Sequence, residues 1–245
     1  MRALILGGTG EARELASLLT TRGYDVTSSL AGRVRNPKLP VGAVRIGGFG
    51  GPAGLAQWLL QHEIDIVIDA THPFAERISA SAAQATLVTD VPLIALHRPA
   101  WEPGAKDRWI SVASFADAAR LVAREYHHIL LTIGRQHVAE FAGDPDNLYV
   151  IRCVEQPSKP LPARHRIILD RGPFQLDDEI RLMKGNQIDA LVTKNSGGTM
   201  TAAKLDAARH LGVAVVMIER PPLPQQSNIF AATTPEEAWK LIKRL

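Results

Sequence analysis

Cysteine is almost absent from the chain, since Cys153 is the only one in 245 residues. This excludes an internal disulfide framework and a cysteine-built metal site. Aromatic residues make up only 5% of the sequence, too few for a surface that stacks nucleic-acid bases. The chain has no run of five like charges and no apolar run near the roughly 20 residues of a membrane span. We therefore expect a cytoplasmic protein without nucleic-acid or membrane partners.

What the chain does have is 46% hydrophobic residues, arranged as short apolar runs that alternate with helical patterns. Continuous apolar strands are typical of parallel sheets that helices cover on both faces. The predicted strands of the first half are Ala3–Leu6, Asp25–Ser29, Ala43–Ile46, Ile66–Asp69 and Leu93–Leu96. The pattern therefore predicts the α/β fold class.

The segment Arg98–Arg108 interrupts the alternation with two prolines, a glycine and several charges, a composition typical of a boundary. The alternation then resumes, which predicts two α/β domains at residues 1–97 and 98–245. The predicted strands of the second half are Ile129–Ile133, Tyr149–Val154, Arg166–Leu169, Leu191–Thr193 and Val213–Ile218.

A glycine-rich turn follows the first predicted strand, with Gly7, Gly8, Thr9 and Gly10 before the first helix. Such a turn lets phosphate groups approach backbone N–H groups at the helix N-terminus. The dinucleotide fingerprint is incomplete, because Arg13 stands where the third glycine is expected. Placement directly after the first strand favours nucleotide binding over a plain strand-to-helix turn.

The end of the second strand indicates which dinucleotide is bound. NAD sites usually carry a carboxylate there, about 20 residues after the glycines, to bind the ribose 2′-hydroxyl. Here the chain has Ser29, Arg33 and Arg35 and no carboxylate. Arginine pairs with a 2′-phosphate, so we expect NADPH, with a solvated basic loop as the alternative.

Two further turns should border the same ligand, because ligands of open α/β sheets bind at the carboxyl ends of strands. One is the glycine cluster Gly47–Gly51 and the other is Ala70–Ala75. The predicted cofactor-binding residues are Gly8, Thr9, Gly10, Glu11, Ser29, Arg33, Gly48, Gly50, Thr71 and His72.

Several catalytic motifs are missing from the sequence. None of the three tyrosines is followed four positions later by lysine, which argues against the short-chain dehydrogenase mechanism. The chain has neither a phosphate-binding loop of the NTPase type nor a Gly-x-Ser-x-Gly nucleophile motif. The eight histidines are scattered, and we expect no metal site.

Five motifs occur in a characteristic order. They are Gly7–Arg13, Gly47–Gly51, Asp69–Ala75, Arg171–Phe174 and Val192–Gly198. In this order the chain resembles the precorrin-6A reductase family of cobalamin biosynthesis, including the cobalt-precorrin-6A enzymes, over nearly its whole length. The segments Asp69–Ala75 and Thr193–Gly198 are the most specific parts of the resemblance.

The resemblance implies reduction of the C18–C19 double bond of precorrin-6A to precorrin-6B with NADPH. It also implies two Rossmann-like domains with parallel sheets, the cofactor on the first and the tetrapyrrole-derived substrate in a cleft between them. A non-catalytic NADP(H)-sensing protein and a reductase of another polycarboxylate remain alternatives. Monomer and homodimer, and cobalt-free and cobalt-containing substrates, are all left open.

A polycarboxylate substrate requires several cations at one site. Those at predicted strand ends or turns are Arg98, Arg135, Arg152, Arg171 and Lys194. Lys194 is followed by Asn195 and Ser196 ahead of a predicted helix, an arrangement suited to a carboxylate. We expect Arg98, Arg135, Arg171, Lys194, Asn195 and Ser196 to bind the substrate.

The reduction also consumes a proton, and His72 is the candidate donor because imidazole titrates near neutrality. The alternative is that His72 shapes the nicotinamide pocket, with water or the substrate's own acidic groups supplying the proton.

Overall fold

The computed structural model describes residues 1–32, 38–224 and 226–245. They form two compact units, one from Met1–Pro99 with Pro221–Leu245 and the other from Ala100–Arg220. Each unit contains one six-stranded sheet in which all paired strands are parallel. The predicted α/β class with parallel sheets is confirmed.

The first unit alternates strands and helices from the N-terminus. Its elements are β1 (Arg2–Leu6), α1 (Gly10–Thr21), β2 (Asp25–Leu30), β3 (Ala43–Ile46), α2 (Pro52–Gln61), β4 (Ile66–Asp69), α3 (Glu76–Thr89), β5 (Leu93–Leu96), β12 (Ile229–Ala232) and α7 (Pro235–Ile242). The strand order is β12-β5-β4-β1-β2-β3. Central strands β1, β4 and β5 are almost wholly buried because both faces pack under helices.

The second unit repeats this plan. Its elements are β6 (Trp109–Val112), α4 (Phe115–Glu125), β7 (His128–Leu131), a 3-10 helix (Val138–Phe141), β8 (Leu148–Cys153), β9 (Arg164–Leu169), α5 (Leu176–Gly185), β10 (Ala190–Lys194), α6 (Ala203–Leu211) and β11 (Ala214–Ile218). The strand order is β6-β11-β10-β7-β8-β9.

The first sheet has the strand order of a Rossmann fold, which reverses beside its first strand, β1. The second sheet has the same order when it is counted from β7, because β6, its first strand in the chain, lies at the edge beside β11. In the first unit the reversal lies between β1 and β4, and in the second between β7 and β10. The crevice outside the carboxyl ends of the strands at such a switch point is where ligands bind in this architecture. Each unit therefore has one expected ligand-binding edge.

The domain boundary differs from the prediction at the C-terminus. Residues 221–245 were expected in the second domain, but they belong to the first unit. Strand β12 pairs in register with β5, from Ile229 beside Leu93 to Ala232 beside Leu96, and α7 packs against α1. Residues 98 and 99 likewise lie in the first unit.

Hydrogen-bonded caps begin several of the helices, as their sequences favour. Thr9, Ser114 and Thr234 each accept a backbone hydrogen bond from the first turn of the helix that follows. Across the described ranges, no helix combines the length and apolar character needed to cross a bilayer.

Candidate functional site

The switch point of the first unit is built around Thr9. Its hydroxyl donates a hydrogen bond to the carbonyl oxygen of Ala70 at 2.8 Å and accepts one from the backbone N–H of Ala12 at 3.1 Å. Thr9 thus caps α1 and also ties the turn after β1 to the turn after β4. Because Thr9 is buried, its side chain positions the turn, and the backbone of the turn faces the ligand edge.

Gly8 precedes this cap with a φ of +119°, a conformation that residues with a Cβ rarely adopt. No described atom lies within 4 Å of the position that a Cβ of Gly8 would occupy, so a ligand can approach the backbone there. Gly10 and Glu11 form the first turn of α1, where unpaired N–H groups favour phosphate.

The turn after β4 is held by Asp69. One carboxylate oxygen, Oδ1, accepts hydrogen bonds from Thr71 at the backbone N–H (3.1 Å) and at the hydroxyl (2.6 Å). The other oxygen, Oδ2, lies 3.8 Å from Nε2 of His97, and both side chains are buried. His97 directly follows β5 and was not predicted as a site residue, because it belongs to no recognised motif.

His72 is partly buried in the same turn. Its Nδ1 accepts a hydrogen bond from the backbone N–H of Phe74 at 3.2 Å. An Nδ1 that accepts requires the neutral ring to carry its proton on Nε2. In this neutral form Nε2–H can donate a hydrogen bond, whereas His72 could donate a proton only after Nδ1 is protonated and the hydrogen bond from Phe74 is lost.

The turns after β2 and β3 adjoin the glycine turn. The N–H of Gly7 bonds the carbonyl of Ser29, and the N–H of Gly47 bonds that of Leu30, both at 2.9 Å. The ends of β1, β2 and β3 are thereby linked side by side. Ser29 is buried and accepts a hydrogen bond from Arg45 at 2.7 Å. The predicted residue Arg33, like Arg35, lies outside the described residues.

The predicted cofactor residues Gly8, Thr9, Gly10, Glu11, Ser29, Gly48, Gly50, Thr71 and His72 thus all follow or end neighbouring strands at one edge of the first sheet. Arg98 lies in the same unit and pairs with Glu11 at 2.9 Å. Arg98 was expected in the second domain but belongs to the first unit, two residues after the end of β5.

The switch point of the second unit contains Lys194, at the end of β10. A Cβ on Gly134, in the turn after the neighbouring strand β7, would lie 4.0 Å from its Nζ. Burial lowers the pKa of Lys194 to about 8. A lysine with that pKa is still mostly charged at neutral pH and can release a proton slightly above it.

His137 lies beside Lys194 and was not predicted. Its ring stacks on Phe115 at 3.7 Å between centroids with an interplanar angle of 5°. Burial and then the charge of Lys194 lower the pKa of His137. The imidazole is therefore neutral at physiological pH and adds a flat polar surface to the switch point.

Asn195 and Ser196 fix the loop that follows Lys194. The side-chain amide of Asn195 exchanges hydrogen bonds with the backbone of Trp101 at 2.8 and 3.1 Å. The backbone carbonyl of Asn195 accepts a hydrogen bond from Arg220 at 2.6 Å. Ser196 is buried. The helix predicted after this loop begins only at Ala203, so Asn195 and Ser196 do not open it directly.

The remaining predicted cations differ in their surroundings. Arg135 pairs with Glu155 at 2.8 Å and is partly exposed, whereas Arg171 lies exposed next to Asp170. Arg152 is buried, forms two hydrogen bonds with the buried Glu179 and stacks on Phe174. Arg152 is thus a structural residue that joins β8 to α5, because Glu179 already neutralises its charge.

No group of three potential ligands that could hold a metal ion occurs in the part of the chain that the structure describes.

Comparison with known proteins places this geometry in one family. The family model described as "Precorrin-6x reductase CbiJ/CobK" matches residues 2–243. A precorrin-6A reductase from Rhodococcus erythropolis is 50% identical over 239 residues, covering 97% of this chain and 96% of that protein. A cobalt-precorrin-6A reductase from Priestia megaterium is 28% identical over 235 residues, covering 90% and 91%.

A solved structure named "CobK precorrin-6A reductase" superposes with a TM-score of 0.92 at 39% identity, covering 100% of this chain and 96% of that one. The two-sheet architecture described above is therefore the architecture of a known reductase structure.

Proposed function

The chain belongs to the precorrin-6x reductase family, and we propose that it reduces the C18–C19 double bond of precorrin-6A to precorrin-6B with NADPH. The observation that carries the proposal is the 50% identity to a precorrin-6A reductase over 97% of the chain. The names of these relatives do not favour a non-catalytic sensor or a reductase of another substrate.

The residues at the first switch point fit a dinucleotide. The open space above Gly8 and the first turn of α1 suit a pyrophosphate, because the backbone there offers N–H donors without a side chain in the way. Glu11, Ser29, Arg33, Gly48 and Gly50 would complete this cofactor site. Bound NADPH supplies the hydride, and the chain's task is to hold the reacting rings in register.

Reduction adds a hydride to one carbon of the double bond and a proton to the other, and the nicotinamide leaves oxidised. Thr71 and His72 follow β4 at the edge where the nicotinamide half of a dinucleotide would extend. The hydrogen bond from Phe74 to Nδ1 holds the His72 ring neutral, so His72 would orient the nicotinamide through Nε2–H, and water or an acidic group of the substrate would supply the proton.

The second unit would bind the carboxylates of the substrate. Lys194 lies at its switch point, and Asn195 and Ser196 fix the loop that follows. Arg135 is partly exposed and Arg171 exposed, so both can reach acetate and propionate groups. Arg98 stays a predicted substrate-binding residue, although it belongs to the first unit and pairs with Glu11.

The degree of similarity favours the cobalt-free substrate. The chain is 50% identical to a precorrin-6A reductase but 28% identical to a cobalt-precorrin-6A reductase over a similar length. The test is a direct competition, in which purified protein, NADPH and equal amounts of the two substrates are incubated. We expect reduced precorrin-6A to accumulate first, and preferential reduction of the cobalt complex would contradict this choice.

A further inference from the structure

Arg45 lies at the end of β3, in register with Ser29 at the end of β2. Its guanidinium donates hydrogen bonds to the Ser29 hydroxyl at 2.7 Å and to the carbonyls of Gly47 and Gly48 at 3.1 and 3.0 Å. The same group lies 3.7 Å from the centroid of the Phe49 ring. Arg45 is thus held in one orientation by two neighbouring turns of the cofactor edge.

The charge of Arg45 has no carboxylate partner within 4.0 Å among the described residues, whereas Arg2 and Arg98 of the same unit pair with Glu63 and Glu11. Burial lowers the pKa of Arg45, which shows that its charge is partly removed from water. A partly buried cation without an acidic neighbour is stabilised when an anion binds beside it.

The guanidinium retains donors for such an anion. Its three hydrogen bonds occupy both N–H groups of Nη1 and one of Nη2, out of five in the side chain. One N–H on Nε and one on Nη2 have no partner among the described residues. Two donors on a planar group are suited to two oxygens of one phosphate.

We propose that Arg45 binds the 2′-phosphate of NADPH and sets the preference of the protein for NADPH over NADH. The position fits, because in this sheet order the ribose 2′ group of a dinucleotide lies at the end of the second strand, while the pyrophosphate lies at the first helix. The inference rests on one part of the proposed function, namely that the dinucleotide binds at the switch point of the first sheet. Arg33 would then act, at most, as a second cation.

The test is calorimetric binding of two fragments, 2′,5′-ADP and 5′-AMP, which differ only in the 2′-phosphate. For wild-type protein we expect 2′,5′-ADP to bind more tightly. Arg45→Met should weaken 2′,5′-ADP binding by about 10- to 100-fold, the range of a lost hydrogen bond to a charged group, and change 5′-AMP binding less than about threefold. Arg45→Lys keeps the charge without the planar fork, and an intermediate loss is expected.

Arg22→Met is the matched control, because Arg22 also lies over an aromatic ring, Trp239 at 3.5 Å, but at the opposite end of α1. It should bind both fragments as wild type does. Unchanged 2′,5′-ADP binding in both Arg45 variants, or a larger loss in Arg33→Met, overturns the inference. Equal wild-type affinities for the fragments overturn it together with the NADPH preference, while reduction of precorrin-6A is measured separately by its product.

Discussion

The hydroxyl of Thr9 joins the carbonyl oxygen of Ala70 at 2.8 Å across the switch point of the first sheet. The same hydroxyl accepts the N–H of Ala12 and so begins α1. One side chain therefore fixes the helix N-terminus relative to the turn that carries Thr71 and His72. The proposed phosphate and nicotinamide ends of the cofactor site depend on this connection.

Thr9→Ala removes the cap and the link to Ala70 together. We expect the free energy of unfolding to fall by about 1–2 kcal/mol, the typical cost of a lost N-cap, and the dissociation constant of NADPH to rise. Urea unfolding and a fluorescence titration measure the two effects. Thr9→Ser keeps the hydroxyl and should restore most of both, and a Thr9→Ala protein as stable as wild type would contradict this account.

Asp69 should control cofactor affinity through Thr71. Asp69→Ala removes the acceptor of two hydrogen bonds that shape the turn, each worth about 1.5–3 kcal/mol because the acceptor is charged. We expect a rise of at least about tenfold in the dissociation constant of NADPH. Asp69→Asn retains an oxygen acceptor, so its dissociation constant for NADPH should lie between those of the wild type and Asp69→Ala. Unaltered NADPH binding by folded Asp69→Ala protein would show that the turn does not contact the cofactor.

The pH dependence of substrate binding should follow Lys194, whose pKa burial lowers to about 8. Because the ammonium loses its proton as the pH rises through that value, affinity for the polycarboxylate should fall above pH 8. The free energy of unfolding, in contrast to substrate affinity, should rise with pH over this range. The unfolded state holds the proton up to about pH 10.4, so the cost of burying the charge disappears as the pH rises from about 8 to about 10.4.

The measurement is the dissociation constant of precorrin-6A from pH 7 to pH 10. Lys194→Arg keeps the charge over this range and should bind without the decline, while Lys194→Met should bind weakly at every pH. A decline that persists in Lys194→Arg would assign the titration to another group.

The buried pair of Arg152 and Glu179 should contribute to stability and not to ligand binding. Arg152→Met leaves a buried carboxylate without its partner, at an expected cost of about 3–5 kcal/mol in the free energy of unfolding. The double variant Arg152→Met/Glu179→Leu removes both charges and should recover most of that loss. Urea unfolding compares the variants, and a double variant less stable than the single one would contradict this interpretation.

The sequence predicts the central strands of each sheet well, because strands buried on both faces are continuously apolar. The central spans Ile66–Asp69 and Leu93–Leu96 coincide with β4 and β5, and the span Ala43–Ile46 coincides with the edge strand β3. The strands β6 and β12, which have four residues each and lie at sheet edges, were missed. Hydrophobic pattern also does not encode which sheet a strand joins, so the return of β12 to β5 could not be foreseen.

Some features of the candidate site are likewise visible in the sequence, and others appear only in the structure. The glycine turns and the Asp69–Ala75 segment are visible in the sequence, because their composition is unusual over a few consecutive residues. Arg45 and His97 gain their importance from lateral neighbours, Ser29 on the adjacent strand and Asp69 on another. The register of the strands determines such contacts, and a motif search along the chain does not reveal them.

Hydride transfer from NADPH to precorrin-6A can be followed with an isotope label. Purified protein would be incubated with precorrin-6A and NADPH deuterated at the transferable position of the nicotinamide, and the corrinoid product examined by mass spectrometry. We expect the product to gain one deuterium and one solvent proton for each NADPH oxidised. NADPH binding without deuterium in the product would contradict it.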